Sequence, residues 1–376
     1  MHLDNLDVVN NTDSSCIVSM ELDGEYLYYK LPETPSYLVL DPFIAVGLIP
    51  AMNAHCAVSV ESDVSVSSSL SSNLKFYQEF FATWVPALEV VDIKAKASFS
   101  QRSANKKVGC FFSGGVDSFY SFVRNQKEIT HIILCRGLDI PIHEEQRWLD
   151  TVERIKAFAD QYGKELLLVE TNAKDFTCHM QTDSYDVDNH GAILISTAML
   201  LDLDRLIVPA SFSYKDLFLW GSHPILDPLL STDQMLVTHD GAAERSEKTR
   251  YIVESGISLE ALRVCNRFAD YNCGKCEKCL RTMTAIEIYG GKTNSLPKLN
   301  VEQLQTIKIW DEFIYPFWVD NYKAAKSKGR EDLLPPIMRI MKDWERRQRI
   351  KSFDNKFLHG AGLKTLRKIK SLIARG

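Results

Sequence analysis

Two short stretches of the chain carry residues whose types and spacing could do chemistry. The first, CFFSGGVDSFYSF from Cys110 to Phe122, sets Gly114, Gly115 and Asp117 between a short apolar run and the start of a helical pattern. Glycines admit positive φ and let the backbone approach a ligand closely, and the helix start that follows offers unpaired N–H groups, so the turn reads as an anion cradle. Asp117 would repel a bare phosphate there. A divalent cation between the two resolves the conflict, and the implied ligand is a Mg²⁺-bound polyphosphate. Ser113 and Ser118 then supply hydroxyls for phosphate oxygens. The alternative is a plain glycine turn with Asp117 as a helix N-cap. No GxxxxGK[ST] stretch is present, which sets this turn apart from the common nucleotide-binding loop.

The second stretch, VCNRFADYNCGKCEKCLRT, places Cys265, Cys273, Cys276 and Cys279 in a C-x7-C-x2-C-x2-C pattern. Four thiolates suit tetrahedral Zn²⁺, and the turn around Gly274 can wrap the ion. An iron–sulfur cluster is chemically open as well, although the ferredoxin-type fourth cysteine followed by proline is missing downstream.

A loop-rich segment, SFSYKDLFLWGSHPILDPLLST, holds Lys215, Asp216, His223 and Asp227, polar groups placed to contact a small-molecule substrate. Singly, each is a loop residue satisfying its neighbours. Lys248 in ERSEKTR could reach a phosphate or belong to a solvated helix face. Of the remaining cysteines, Cys110 and Cys135 fall in apolar runs and read as core, while Cys178 in DFTCHMQTD is the candidate reactive thiol. Asp175 and Asp183 beside it in sequence would raise its pKa, and His179 could offset them.

SGGVDS, Ser113 to Ser118, is similar to the SGGxDS pyrophosphate loop of the PP-loop ATP pyrophosphatases, the adenine nucleotide α-hydrolase-like family. Members use ATP to adenylate a substrate oxygen, release pyrophosphate and let nitrogen or sulfur displace AMP. The resemblance implies that Ser113, Gly114, Gly115, Val116, Asp117 and Ser118 hold the departing pyrophosphate and its metal, with Asp117, Ser113 and Ser118 as the catalytic set. It also implies that the strand HIILCRG, through Cys135, lies near the adenine. The cysteine cluster, with Cys265, then CGKCEKC and Arg281, resembles the zinc motif of the 7-cyano-7-deazaguanine synthase family. Together the motifs span roughly residues 106 to 290, about half of the chain.

The elements that must position these residues are legible as texture. From Lys106 onward, VGCFF, THIILC, KELLLVE and DRLIVPA are short apolar runs separated by helical patterns; Trp148, Val152, Ile155, Ala159 and Tyr162 share one helix face. The alternation predicts an α/β fold with a doubly wound parallel sheet and a ligand beyond the carboxyl ends of its strands. Three parts are expected: an N-terminal α+β extension over 1–100, a PP-loop domain with its four-cysteine metal site over 101–292, and a helical basic region over 293–376. In the first, EYLYYKL and HCAVSVE alternate, a serine-rich break spans 64–72, and LKFYQEFFATWVPAL suits an amphipathic helix.

With 45% hydrophobic and 25% charged residues among 376, the composition excludes a wholly disordered chain. The net charge of -5 conceals a basic C-terminus, where Met338–Gly376 carries twelve Lys/Arg against three Asp/Glu. That tail could bind RNA phosphates or an acidic surface, or it could pack Ile350, Phe353, Phe357 and the Leu366, Ile369, Ile373 set on the body with lysines outward. No basic-then-apolar leader or membrane-spanning run is read, and nine cysteines without a secretory signal argue for a reducing, cytoplasmic compartment. A homodimer is the assembly expected. The function expected is ATP-dependent adenylation of a carboxylate or amide-type oxygen, with ATP, Mg²⁺ and Zn²⁺ as cofactors and ammonia or an amine as nitrogen donor. Thiolation of a tRNA base or small molecule, and nucleotide sensing without turnover, are the alternatives.

Overall fold

The computed structural model describes residues 1–101, 106–180, 189–265 and 271–359. Within the first hundred residues, β1 (His2–Asn10), β2 (Cys16–Leu22) and β3 (Glu25–Leu31) form an antiparallel meander. Next come α1 (Asp41–Asn53), β4 (Val58–Val60), β5 (Val66–Ser67), α2 (Ser68–Trp84), β6 (Ile93–Lys94) and β7 (Ala97–Ser98). The helix α2 begins inside the serine-rich stretch, because the Ser67 hydroxyl caps it by accepting from the Leu70 N–H at 3.4 Å. The central part alternates β8 (Val108–Phe111), α3 (Val116–Asn125), β9 (His131–Arg136), α4 (Glu145–Gln161) and β10 (Glu165–Thr171). It continues through α5 (Ala173–His179), α6 (His190–Ser196), β11 (Arg205–Pro209), β12 (Leu236–Asp240) and α7 (Arg245–Glu254). Helices α8 (Glu277–Ile288), α9 (Tyr315–Ser327) and α10 (Leu334–Leu358) complete the described chain.

The result is a mixed α/β molecule built on a ten-stranded sheet of order β12-β11-β8-β9-β10-β3-β2-β1-β4-β6. Its segment from β12 to β10 is parallel throughout. Alternate residues of each central strand enter two different cores: Phe111, Ile133, Val169 and Leu206 one, Cys110, Ile132, Leu134 and Ile207 the other. This is the burial expected of parallel strands covered by helices on both sides, and it explains why those runs are continuously apolar. The chain leaves β10 on one flank and re-enters as β11 beyond β8, so the strand order reverses between β8 and β11. A crevice forms at such a reversal, outside the carboxyl ends of the strands.

The N-terminal residues are α+β, as their alternating patterns suggest, and their meander extends the central sheet. Strand β3 pairs antiparallel with β10 through Lys30 with Glu170 and Tyr29 with Thr171. The Thr171 hydroxyl donates to the Tyr28 carbonyl at 2.6 Å, and Asn172 Oδ1 accepts from the Tyr28 N–H at 3.0 Å. One apolar cluster runs from Leu3 and Met20 through Ile133 to Leu206.

At the other end, α10 docks through Ile337, Ile340 and Trp344, all buried. The packing reading for the next turns is corrected: Ile350, Phe353 and Phe357 are each at least half exposed. Leu366, Ile369 and Ile373, like Asp183, lie outside the described residues. No helix among the described residues is long and apolar enough to cross a membrane.

Candidate functional site

The turn between β8 and α3 is built around Gly114, whose φ of 77° lies in the left-handed region; a Cβ there would come within 2.5 Å of the Ala261 carbonyl oxygen. Only glycine fits. Gly115 is the N-cap of α3 and no side chain caps the helix, so the first-turn N–H groups have no side-chain acceptor. Asp117 is therefore not the N-cap. The Ser118 hydroxyl donates to the Gly115 carbonyl at 2.9 Å and Ser113 Oγ accepts from the Gly115 N–H at 3.4 Å, so both hydroxyls brace the turn.

Above this turn lies a cavity of about 390 Å³ at the carboxyl ends of β8, β9 and β11, where the strand order reverses. Ser113, Gly115, Val116, Asp117 and Ser118 line its floor. Ile133, Cys135, Leu138 and Ile140 supply an apolar wall, and Arg245, Arg263 and Lys278 a cationic one. Burial pushes the Cys135 thiol up. Two donors at the cavity, Arg263 Nη1 and Trp220 Nε1, are buried without a hydrogen-bond partner among the described residues. The Lys278 ammonium makes no hydrogen bond among those residues either, and burial lowers its pKa against the pull of Asp139. Unpaired donors of this kind are costly unless a ligand pairs them.

Asp117 is fully engaged by cations. Arg245 donates to one carboxylate oxygen at 2.6 Å and Lys248 to the other at 2.8 Å, with the Lys248 ammonium also donating to the Ala210 carbonyl at 2.6 Å. Burial opposes ionisation of Asp117, but the charges of Arg245 and Lys248 outweigh it and hold the carboxyl down to about 2. Burial pulls the Lys248 ammonium below its usual range even though Asp117 acts to raise it, because that carboxylate is shared with Arg245. These contacts of Asp117 position Arg245 and Lys248. Asp139 is the other carboxylate of the cavity. Enclosure raises its pKa, yet Arg263, at 3.6 Å, and Lys278 bring it below the usual range.

The four cysteines converge as their spacing predicts. The Sγ atoms of Cys265, Cys273, Cys276 and Cys279 all lie within 4.8 Å of one another, which suits a tetrahedral ion with metal–sulfur bonds near ~2.3 Å. Cys273 Sγ accepts from the N–H groups of Lys275 and Cys276 at 3.4 and 3.3 Å, and Cys276 caps α8. Such N–H···S bonds stabilise thiolate and so favour a metal. Gly274, at φ +65°, makes the turn, packed where a Cβ would strike Pro297. The cluster also serves the cavity. Arg263 sits two residues before Cys265, and Lys278 lies between Cys276 and Cys279. Asn272 fastens the loop, accepting from the Val264 and Cys265 N–H groups and donating to the Leu262 and Ser295 carbonyls.

The four residues read as substrate contacts do not line this cavity. Asp227 is buried, accepting from the Ser222 hydroxyl at 2.8 Å and the His223 N–H at 3.0 Å, and its carboxylate meets His239 Nδ1 at 2.7 Å. His223 packs edge-on against Trp84. Lys215 is exposed and pairs with Glu244 at 3.0 Å. Asp216 lines a second cavity of about 90 Å³ that shares Ser211 and Arg245 with the first. Arg281 lies off the main cavity, its guanidinium 4.2 Å from the centre of the Phe317 ring and its pKa brought down to about 10 by burial. Cys178 is exposed; Cys110 is buried.

Sequence reasoning passed over Arg245, Arg263, Lys278, Asp139 and Trp220. Arg263 and Lys278 could have been found from their places beside the clustered cysteines, since a rigid cluster is a natural mount for functional side chains. No family model matches the chain, and no curated protein or solved structure does either.

Proposed function

We propose that the chain is an ATP-dependent enzyme of the PP-loop type, with an adenine nucleotide α-hydrolase-like fold, which adenylates a carboxylate or amide-type oxygen and lets nitrogen displace AMP. The observation that carries this reading is the set of unpaired cationic and N–H donors, Arg263 Nη1, Trp220 Nε1 and the Lys278 ammonium, gathered above an uncapped helix start in one cavity. An extended polyanion satisfies all of them at once. The apolar wall of Ile133, Cys135, Leu138 and Ile140 suits a flat base.

In this reading ATP arrives as its magnesium complex. Gly114, Gly115 and the first turn of α3 take the β,γ-phosphates, and Arg245, held by Asp117, neutralises the charge that grows on pyrophosphate as it leaves. Arg263 and Lys278 flank the α-phosphate and the adenylate. Little covalent help is needed, because orientation in line and stabilisation of the leaving group supply most of the rate. Cys265, Cys273, Cys276 and Cys279 would hold a structural zinc ion, which would stiffen the segments that carry Arg263 and Lys278. Nitrogen is favoured over sulfur because the one cysteine lining the cavity among the described residues, Cys135, is buried and held as the thiol.

The test is pyrophosphate release from ATP in the presence of ammonium and a panel of carboxylate acceptors. Release of pyrophosphate and AMP that depends on an acceptor is expected, and Arg263→Ala should lower kcat by about a hundredfold. Cleavage to ADP and phosphate, or no stimulation by any acceptor together with an unchanged Arg263→Ala, would sink the reading.

A further inference from the structure

Beside the nucleotide cavity lies the smaller one of about 90 Å³, and its chemistry is of the opposite sign. Phe212, Phe218, Phe313 and Phe317 wall it, with Phe212 and Phe218 centroids 4.6 Å apart and Phe218 and Phe313 stacked at 4.4 Å. Asp216, Glu244, Glu312 and Asp320 bring four carboxylates to the same space. Two are occupied: Asp216 accepts from the Ser213 hydroxyl at 2.7 Å, and Glu244 pairs with Lys215. Asp320 differs. It is 7% exposed and makes neither a hydrogen bond nor an ion pair through its side chain among the described residues. Burial and then Glu244 push its carboxyl up to about 6. Lys323 and Lys215 pull the other way without forming an ion pair with it, and a buried carboxylate so placed among phenylalanines is a poor choice for stability whose complement is a cation. The one cation lining the pocket among the described residues, Arg245, is directed to Asp117.

We propose that this pocket is a subsite for the ammonium group of a small primary amine, paired with Asp320 and enclosed by phenylalanine rings. The inference rests on the proposed adenylating function, to which it adds the nitrogen donor: the two cavities share Ser211 and Arg245, so the amine waits next to the adenylate. After losing one proton to water, the amine uses its lone pair to form a C–N bond to the acyl carbon. The C–O bond to phosphate breaks, AMP leaves with that electron pair, and the second proton follows to water.

The full-length protein is titrated calorimetrically with butylammonium and with 1-butanol, a neutral molecule of similar shape, in the absence of ATP. The expected result is at least tenfold tighter binding of butylammonium, with the preference abolished in Asp320→Asn and reduced in Glu244→Gln. Equal affinity for the two probes, or a preference that survives in both variants, would overturn the subsite. Because no nucleotide is present, the titration is independent of the chemistry. Preferential amine binding in a protein that never releases pyrophosphate would uphold the subsite and overturn the reaction, and acceptor-dependent release without amine preference would do the reverse.

Discussion

Two aspartates respond to pH with opposite sign. Asp117 has its carboxyl held down to about 2, so its contribution to stability is complete above the unfolded carboxylate value near ~4 and is lost as pH falls toward 2. Asp117→Asn should destabilise the protein by about 2 kcal/mol at pH 7 and by almost nothing at pH 2, read from denaturant titrations at the two pH values. Turnover should fall about tenfold or more, because Arg245 and Lys248 lose the anchor that aims them. Asp320 has a folded value near 6, above the unfolded one, so its ionisation weakens the fold above pH 6 and the penalty disappears below about 4. Asp320→Asn should therefore stabilise by about 2 kcal/mol at pH 8 and leave the melting temperature unchanged at pH 4. A loss of stability at pH 8 would mean that Asp320 is a structural residue with a partner. Of these two, only Asp117 drew attention in the sequence. It stood beside glycines at a helix start, whereas Asp320 acquires meaning from Phe212, Asp216, Phe218 and Glu244, 76 to 108 positions away.

At the scale of elements, the cysteine cluster joins the loop that carries Arg263 to the helix that carries Lys278. Cys276→Ser removes one ligand and the cap of α8 together. Elemental analysis should give one zinc per chain for the native protein and less than a tenth of that for the variant, with hydrogen exchange accelerated in α8. Equal metal content and equal protection would remove the metal site. The spacing of these cysteines was enough to predict their convergence, because ligands two residues apart around a glycine turn can reach one ion whatever the rest of the fold does. Spacing could suggest Arg263 and Lys278 as mounted side chains, but not which cavity they face. That follows from the Gly114 carbonyl accepting from the Arg263 N–H at 2.8 Å, which docks the segment leading into the cluster on the β8–α3 turn.

At the scale of the whole molecule, the pairing of β3 with β10 makes residues 1–100 part of one sheet and one core with the cavity. A fragment of residues 101–376 should fail to fold, since it would expose the β10 edge and half of an apolar cluster. A soluble fragment with native-like thermal melting and nucleotide binding would contradict this. The sequence by itself determined the α/β class, the strands VGCFF, THIILC, KELLLVE and DRLIVPA, the glycine turn and the four-cysteine cluster. All of these rest on local signals: apolar periodicity, backbone permissiveness at glycine, and ligand spacing. Tertiary structure alone decided that Asp117 is an anchor for Arg245 and Lys248, that His223 and Asp227 belong to a buried hydrogen-bond network away from the cavity, and that an acidic aromatic pocket adjoins it. The reason is physical. What a charged side chain does is set by the charges and the burial that folding brings around it, and for Asp117 those partners stand 128 and 131 residues away in the chain.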